Sequence, residues 1–109
     1  RVKGEKIPLE FLIRKQTKET AETFGLMDRG QIKEGYLADI NIIDHENLCV
    51  YKPEMVHDLP TGSRRIIQKA GGYIATIKSG VVTFKNDQAT GELPGTVLRG
   101  ERTAEAISA

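Results

Sequence analysis

The sequence predicts an α+β fold in which short N-terminal helices are followed by a small, mostly antiparallel β-sheet. Three observations carry that reading. Apolar residues recur at helical spacing up to Phe24, and glycines at positions 25, 30 and 35 then interrupt the pattern. From Ile40 onward the apolar positions are rich in β-branched residues, run in short stretches and alternate around a turn signal. With 109 residues, 39% of them apolar, the chain can build one small core. It cannot build a catalytic barrel of about 250 residues. A chain this short buries only about 60 to 70% of its unfolded surface, so loss of a neighbouring segment matters to its stability.

Pro8 suits a first helical turn, where its absent N–H would be unpaired in any case. Leu9, Leu12 and Ile13 share one stripe, largely opposite Glu10, Arg14, Lys15 and Gln16, which predicts an amphipathic helix over residues 8–16. Thr17 to Phe24 reads as a second helix. Thr17 offers an N-capping hydroxyl, Glu19 lies near the positive end of the dipole, and Gly25 stands at the left-handed C-terminal position. Ala21 and Phe24 are its expected buried contacts. Gly30 and Gly35 then bracket a short extended piece around Ile32 as turn residues. Ile40-Asn41-Ile42-Ile43 is a strand buried on at least one face and ended by Asp44. Residues 45–62 hold Pro53 and Pro60 without sustained periodicity and read as irregular, while residues 63–70 fit either a helical turn or an extended arm.

Ser79-Gly80 reads as a two-residue hairpin turn. In that register Lys78 faces Val81, Ile77 faces Val82, Thr76 faces Thr83 and Ala75 faces Phe84. Tyr73, Ala75, Ile77, Val82 and Phe84 then share one face, as a half-buried antiparallel pair requires. Residues 86–95 form a polar turn region, Thr96 to Arg99 one more short strand, and residues 101–109 a tail.

Sixteen Lys+Arg against 15 Asp+Glu leave a net charge of +1 with no block of like charges. The densest basic spot is Arg64, Arg65 and Lys69, too little for a nucleic-acid interface, which needs a concentrated basic face. No apolar run reaches the roughly 18 residues of a membrane span, and no segment has the features of a signal peptide. The chain reads as soluble. Cys49 is alone, which excludes an internal disulfide and fits a reducing compartment, the cytoplasm. An initial Arg in place of Met leads us to expect a piece of a longer protein or a processed product.

The residues that could carry chemistry are few. His45, Cys49 and His57 have the spacing H-x3-C-x7-H, flanked by Asp44, Glu46 and Asp58, which matches no zinc pattern. His45 or His57 could serve Cys49 as a base, yet no activating motif surrounds that thiol. Gly71-Gly72 precedes a strand, whereas glycines that cradle phosphate open a helix. His57 and Asp58 are neighbours that point apart in extended chain. No catalytic, cofactor-binding or metal-ligating residue is therefore assigned, and composition and spacing name no reaction.

A longer pattern says more. Phe24-Gly25-Leu26, Asp28-Arg29-Gly30 and Gly30-x-Ile32-x-x-Gly35-x-x-Ala38-Asp39, followed by a strand closed by Asp44, resemble the C-terminal passage of metal-dependent amidohydrolases. Further on come Asp58-Leu59-Pro60-x-Gly62 and Gly72-Tyr73-x-Ala75-Thr76-Ile77-x-x-Gly80-Val81-Val82-Thr83-Phe84. These runs, with Gly91-x-Leu93-Pro94-Gly95-x-Val97-Leu98-Arg99-Gly100, resemble the N-acyl-D-amino-acid deacylase (D-aminoacylase) branch. Lys18, Thr20, Asn41 and Ser79 depart from the usual pattern.

The resemblance implies that metal ligands and the catalytic Asp lie on a (β/α)8 barrel outside this chain. Residues 1–29 then correspond to the barrel's terminal helices and residues 30–100 to the C-terminal part of a β-sandwich. It further implies a full-length hydrolase that cleaves the amide bond of N-acyl-D-amino acids with zinc or another divalent metal, of which this segment binds none and is inactive alone. The inherited roles are structural: Gly30 and Gly35 as turns, Asp39 capping backbone N–H groups at the strand start, and Ile40, Ile42, Ile77, Val82 and Phe84 as core. The expected partners are the parent's barrel and N-terminal strands, with neither nucleic acid nor membrane. Exposed sheet edges also lead us to expect a homo-oligomer. The alternatives are a non-catalytic β-rich binding or assembly module, or a fragment of a dihydroorotase-like or deaminase relative.

Overall fold

The computed structural model describes residues 4–99, and the expected tail of residues 101–109 lies outside the described residues. Helix α1 (Leu9–Arg14), a π-helical turn (Lys15–Glu19) and helix α2 (Thr20–Thr23) follow one another with right-handed helical dihedrals at every junction. The two helices expected from sequence are thus one. Thr17 caps nothing: its hydroxyl donates to the Ile13 carbonyl at 2.7 Å, inside the helix. Thr20 donates to the Lys15 carbonyl at 2.6 Å and Thr23 to that of Glu19 at 2.8 Å. Such hydroxyls compete with backbone N–H groups for the same carbonyls, and the wide π turn falls among them. Pro8 is the N-cap residue, and its carbonyl accepts the Leu12 N–H at 3.2 Å. At the other end Gly25 has φ +72°. Its N–H reaches the Glu22 carbonyl at 3.0 Å and that of Leu26 reaches Ala21 at 2.8 Å, the Schellman pair that the glycine predicts.

The strands are β1 (Ile40–Ile43), β2 (Cys49–Val50), β3 (Glu54–Val56), β4 (Arg65–Ile67), β5 (Ala70–Gly71), β6 (Tyr73–Lys78), β7 (Val81–Lys85) and β8 (Gln88–Ala89). All pairings among them are antiparallel. One sheet has the order β1-β6-β7-β8, and β2 with β5 and β3 with β4 form two small ribbons. The α+β class predicted from sequence is the observed one. Residues 45–62 are less irregular than expected, since β2 and β3 lie there, and the undecided arm 63–70 is extended as β4 and the start of β5. Strands of two or three residues leave no period in a sequence; only their partners define them. Thr96 to Arg99 form no strand, having no neighbour to pair with among the described residues.

The hairpin turns at Ser79 (φ +51°) and Gly80 (φ +79°), as expected. Lys78 pairs with Val81 and Ile77 with Val82, but a bulge then intervenes, so Thr76 pairs with Phe84 and Ala75 with Lys85. Thr83 is the extra residue, and its hydroxyl donates to the Thr76 carbonyl at 3.1 Å. Phe84 consequently shares the face of Thr76 and leaves that of Ala75 and Ile77. A second tight turn, at Asn86 (φ +49°) and Asp87 (φ +63°), leads into β8.

Little is enclosed. Among the described residues Ala21 is the only buried apolar residue, and Phe24, expected beside it, is 76% exposed. Phe24 is the C-cap residue with φ −88° and ψ 4°, and the chain turns away at Gly25 before anything can cover the ring. Of the expected core, Ile40 and Ile77 are half-buried while Ile42, Val82 and Phe84 remain exposed. The radius of gyration is 17.8 Å, against about 13 Å for a compact domain of this length. Among the described residues no helix is long and apolar enough to cross a membrane.

Candidate functional site

A cleft of about 720 Å³ lies between the helix and β1, floored by the connection that joins them. Leu9 and Ile13 line it from the helix, Ile32 and Tyr36 from the connection, and Ile40 and Ile43 from β1. Gly30 sets the spacing of its walls. A Cβ built there would stand 2.9 Å from both the Thr17 carbonyl and the Ala21 Cβ, and the residue has φ +91°. Only glycine lets the connection press on the helix at that point. The Leu37 N–H then bonds the Asp28 carbonyl at 2.8 Å, which draws the loop back on itself before β1.

A polar clamp closes the end of the cleft. Because Ile40 pairs with Ile77, Asp39 comes to lie beside Lys78 and the hairpin turn. Asp39 accepts two contacts from Lys78 Nζ at 2.9 and 3.0 Å and the Ser79 N–H at 2.9 Å, and Arg29 Nη1 stands 3.8 Å away. Partial burial pushes the Asp39 carboxyl up, but the Ser79 N–H and the Lys78 and Arg29 cations outweigh it and hold the group below the usual carboxylate range. The resemblance has Asp39 cap N–H groups at the strand start; instead it accepts an N–H from across the sheet, at Ser79 of the hairpin turn. Arg29 also bonds Asp28 through Nε at 3.0 Å, which holds Asp28 low and raises Arg29. Every charge of the clamp has a partner.

The residues singled out by spacing do not converge. His45 is exposed in the turn after β1, and Asp44 beside it is bound by Asn47 Nδ2 at 2.6 Å. Cys49 is an exposed free thiol on β2. The neighbouring Cys49 sulfur raises the Tyr51 phenol. His57 follows β3, and Asp58 is gripped in parallel by Arg65 Nε at 2.7 Å and Nη2 at 2.6 Å, which lowers Asp58 and raises Arg65. Asp58 thus orients no histidine. Gly71 and Gly72 serve close packing: a Cβ at Gly71 would come within 2.6 Å of the Tyr51 hydroxyl, and one at Gly72 within 2.8 Å of the Leu48 Cα. Among the described residues no three His, Cys, Asp or Glu side chains are grouped to hold a metal ion. The divalent metal that the resemblance implies finds no donor set here.

Sequence reading missed Lys78, Arg29 and Asp87. The Asp87 carboxylate accepts the Tyr73 N–H at 3.2 Å and the Gly72 N–H at 3.4 Å, fastening the second turn to the start of β6. Lys78 was within reach of inference once β1 is laid against β6, since Asp39 then falls opposite it.

Comparison with known proteins agrees with the glycine and strand pattern. The model of the amidohydrolase family matches residues 2–84. A D-aminoacylase from Alcaligenes xylosoxydans xylosoxydans is 34% identical over 91 residues, covering 84% of this chain and 17% of that protein. A dihydroorotase from Endomicrobium trichonymphae is 34% identical over 80 residues, covering 72% of this chain and 19% of that protein. The chain thus spans less than a fifth of the length of these relatives. No solved structure matches it significantly. With the family match running from before the helix to the end of the hairpin, the chain belongs to the amidohydrolase family.

Proposed function

We propose that the chain is the C-terminal structural share of a hydrolase that cleaves the amide bond of N-acyl-D-amino acids, with the reacting groups on the rest of the protein. In this reading residues 1–29 complete a (β/α)8 barrel and residues 30–100 complete a β-sandwich. The observation that carries it is the D-aminoacylase relative, which matches 84% of this chain within only 17% of its own length. The open structure supports the same division. Ala21 is the only buried apolar residue among those described, and the apolar faces left open ask for a partner that covers them. The barrel and N-terminal strands of the same polypeptide are that partner, seated on the cleft and on the edge of β1 left unpaired among the described residues. The divalent metal of the proposed reaction takes its ligands from outside residues 4–99. A single free cysteine, Cys49, supports a reducing, cytoplasmic setting.

The test uses both forms of the protein. The isolated chain, supplied with zinc and N-acetyl-D-amino acids, is expected to show no turnover, and real turnover would overturn the structural reading. The full-length protein is expected to hydrolyse N-acetyl-D-amino acids in preference to their L-enantiomers. A dihydroorotase-like reading is favoured by the second relative, 34% identical over 80 residues. Ring opening of dihydroorotate by the full-length protein, without deacylation, would select it. Deprived of its covering partner, the isolated chain is expected to associate with copies of itself through β1. Light scattering at micromolar concentration should give a mass above the monomer, and a clean monomer counts against it.

A further inference from the structure

We draw no further inference here: the strongest candidate, the apolar cleft between the helix of residues 9–23 and the edge of β1 left open among the described residues, already belongs to the proposed assembly of the whole protein, and nothing in the structure shows what else covers it.

Discussion

The four-stranded sheet and the helix both carry an apolar face with little behind it, yet they hold together by different means. The sheet is tied by its own ladder, by two tight turns and by side chains that reach across strands: Asp39 to Ser79, Asp87 to Tyr73, and the Thr90 hydroxyl to the Val82 carbonyl at 2.7 Å. The helix is tied mainly on its solvent side, by Lys15–Glu19 at 3.1 Å and Arg14–Glu19 at 3.3 Å. Exposed pairs of this kind contribute about 0 to 1 kcal/mol. Its apolar stripe is open, with Leu9 45%, Leu12 37% and Ile13 46% exposed. A lone helix of about this length is marginal in water. The sheet can therefore persist on its own bonds, whereas the helix depends on its contact at Gly30.

Gly30 is where this comparison breaks most easily. In Gly30→Ala the new methyl meets the Thr17 carbonyl and Ala21 Cβ at 2.9 Å and the Lys18 Cα at 3.1 Å, two of them backbone atoms that cannot swing aside. The left-handed φ of +91° adds strain. We expect a loss of about 2 to 4 kcal/mol. Amide exchange should accelerate across residues 9–23 while the hairpin amides keep their protection. Gly35→Ala is the control, because nothing lies within 4 Å of its Cβ and only the φ of +83° is unfavourable. It should cost about 1 kcal/mol. Equal effects of the two substitutions would show that the helix does not rest on the Gly30 contact.

How much of this was legible follows from how local each feature is. The Schellman turn at Gly25, the Ser79-Gly80 turn and the end of β1 at Asp44 are set within a few residues, and sequence reading placed them. The fused helix was not legible, because Thr17 is as good an N-cap as it is a helix-interior hydroxyl, and only the Ile13 carbonyl decides between the two. The bulge at Thr83 escaped because a two-residue turn fixes register only beside itself. The ribbons β2–β5 and β3–β4 exist through partners up to about twenty residues away, beyond any periodicity. For the candidate site, spacing drew attention to His45, Cys49 and His57, which the fold keeps from forming a common site, while the cleft and clamp depend on how β1 meets β6.

The clamp sharpens the comparison at intermediate scale. Asp39→Asn keeps the shape and removes the charge that Lys78, Arg29 and the Ser79 N–H share. With the Asp39 side chain 26% exposed, the cost should be about 1 kcal/mol. Exchange of the Ser79 and Gly80 amides should rise while the helix is little affected. Acid should mimic the substitution. The folded pKa of Asp39 is depressed, so its contribution is fully present above the unfolded value of about 3.9 and is lost as pH falls through the lower folded value. The pH dependence of those two amides below about pH 4 should vanish in Asp39→Asn; its survival would assign the acid response to another carboxylate.

The smallest effect tests whether the sheet is near its best local sequence. Ser79 holds φ +51° at the first central position of a turn whose second is Gly80 at φ +79°. Both left-handed positions favour Asn-Gly, because Asn tolerates positive φ better than Ser. Against this, the Ser79 hydroxyl accepts a contact from Lys78 Nζ at 3.0 Å, but that ammonium already has both Asp39 oxygens. The Asn side chain carries an acceptor oxygen of its own, so little is forfeited. Ser79→Asn should stabilise the hairpin by about 0.5 kcal/mol, read as slower exchange at Gly80 and Asn86, whose N–H groups bond the Ala38 and Ile74 carbonyls. The helix amides should not respond. If they gain protection too, the helix and sheet open together as one cooperative unit, and the contrast between them is one of packing alone.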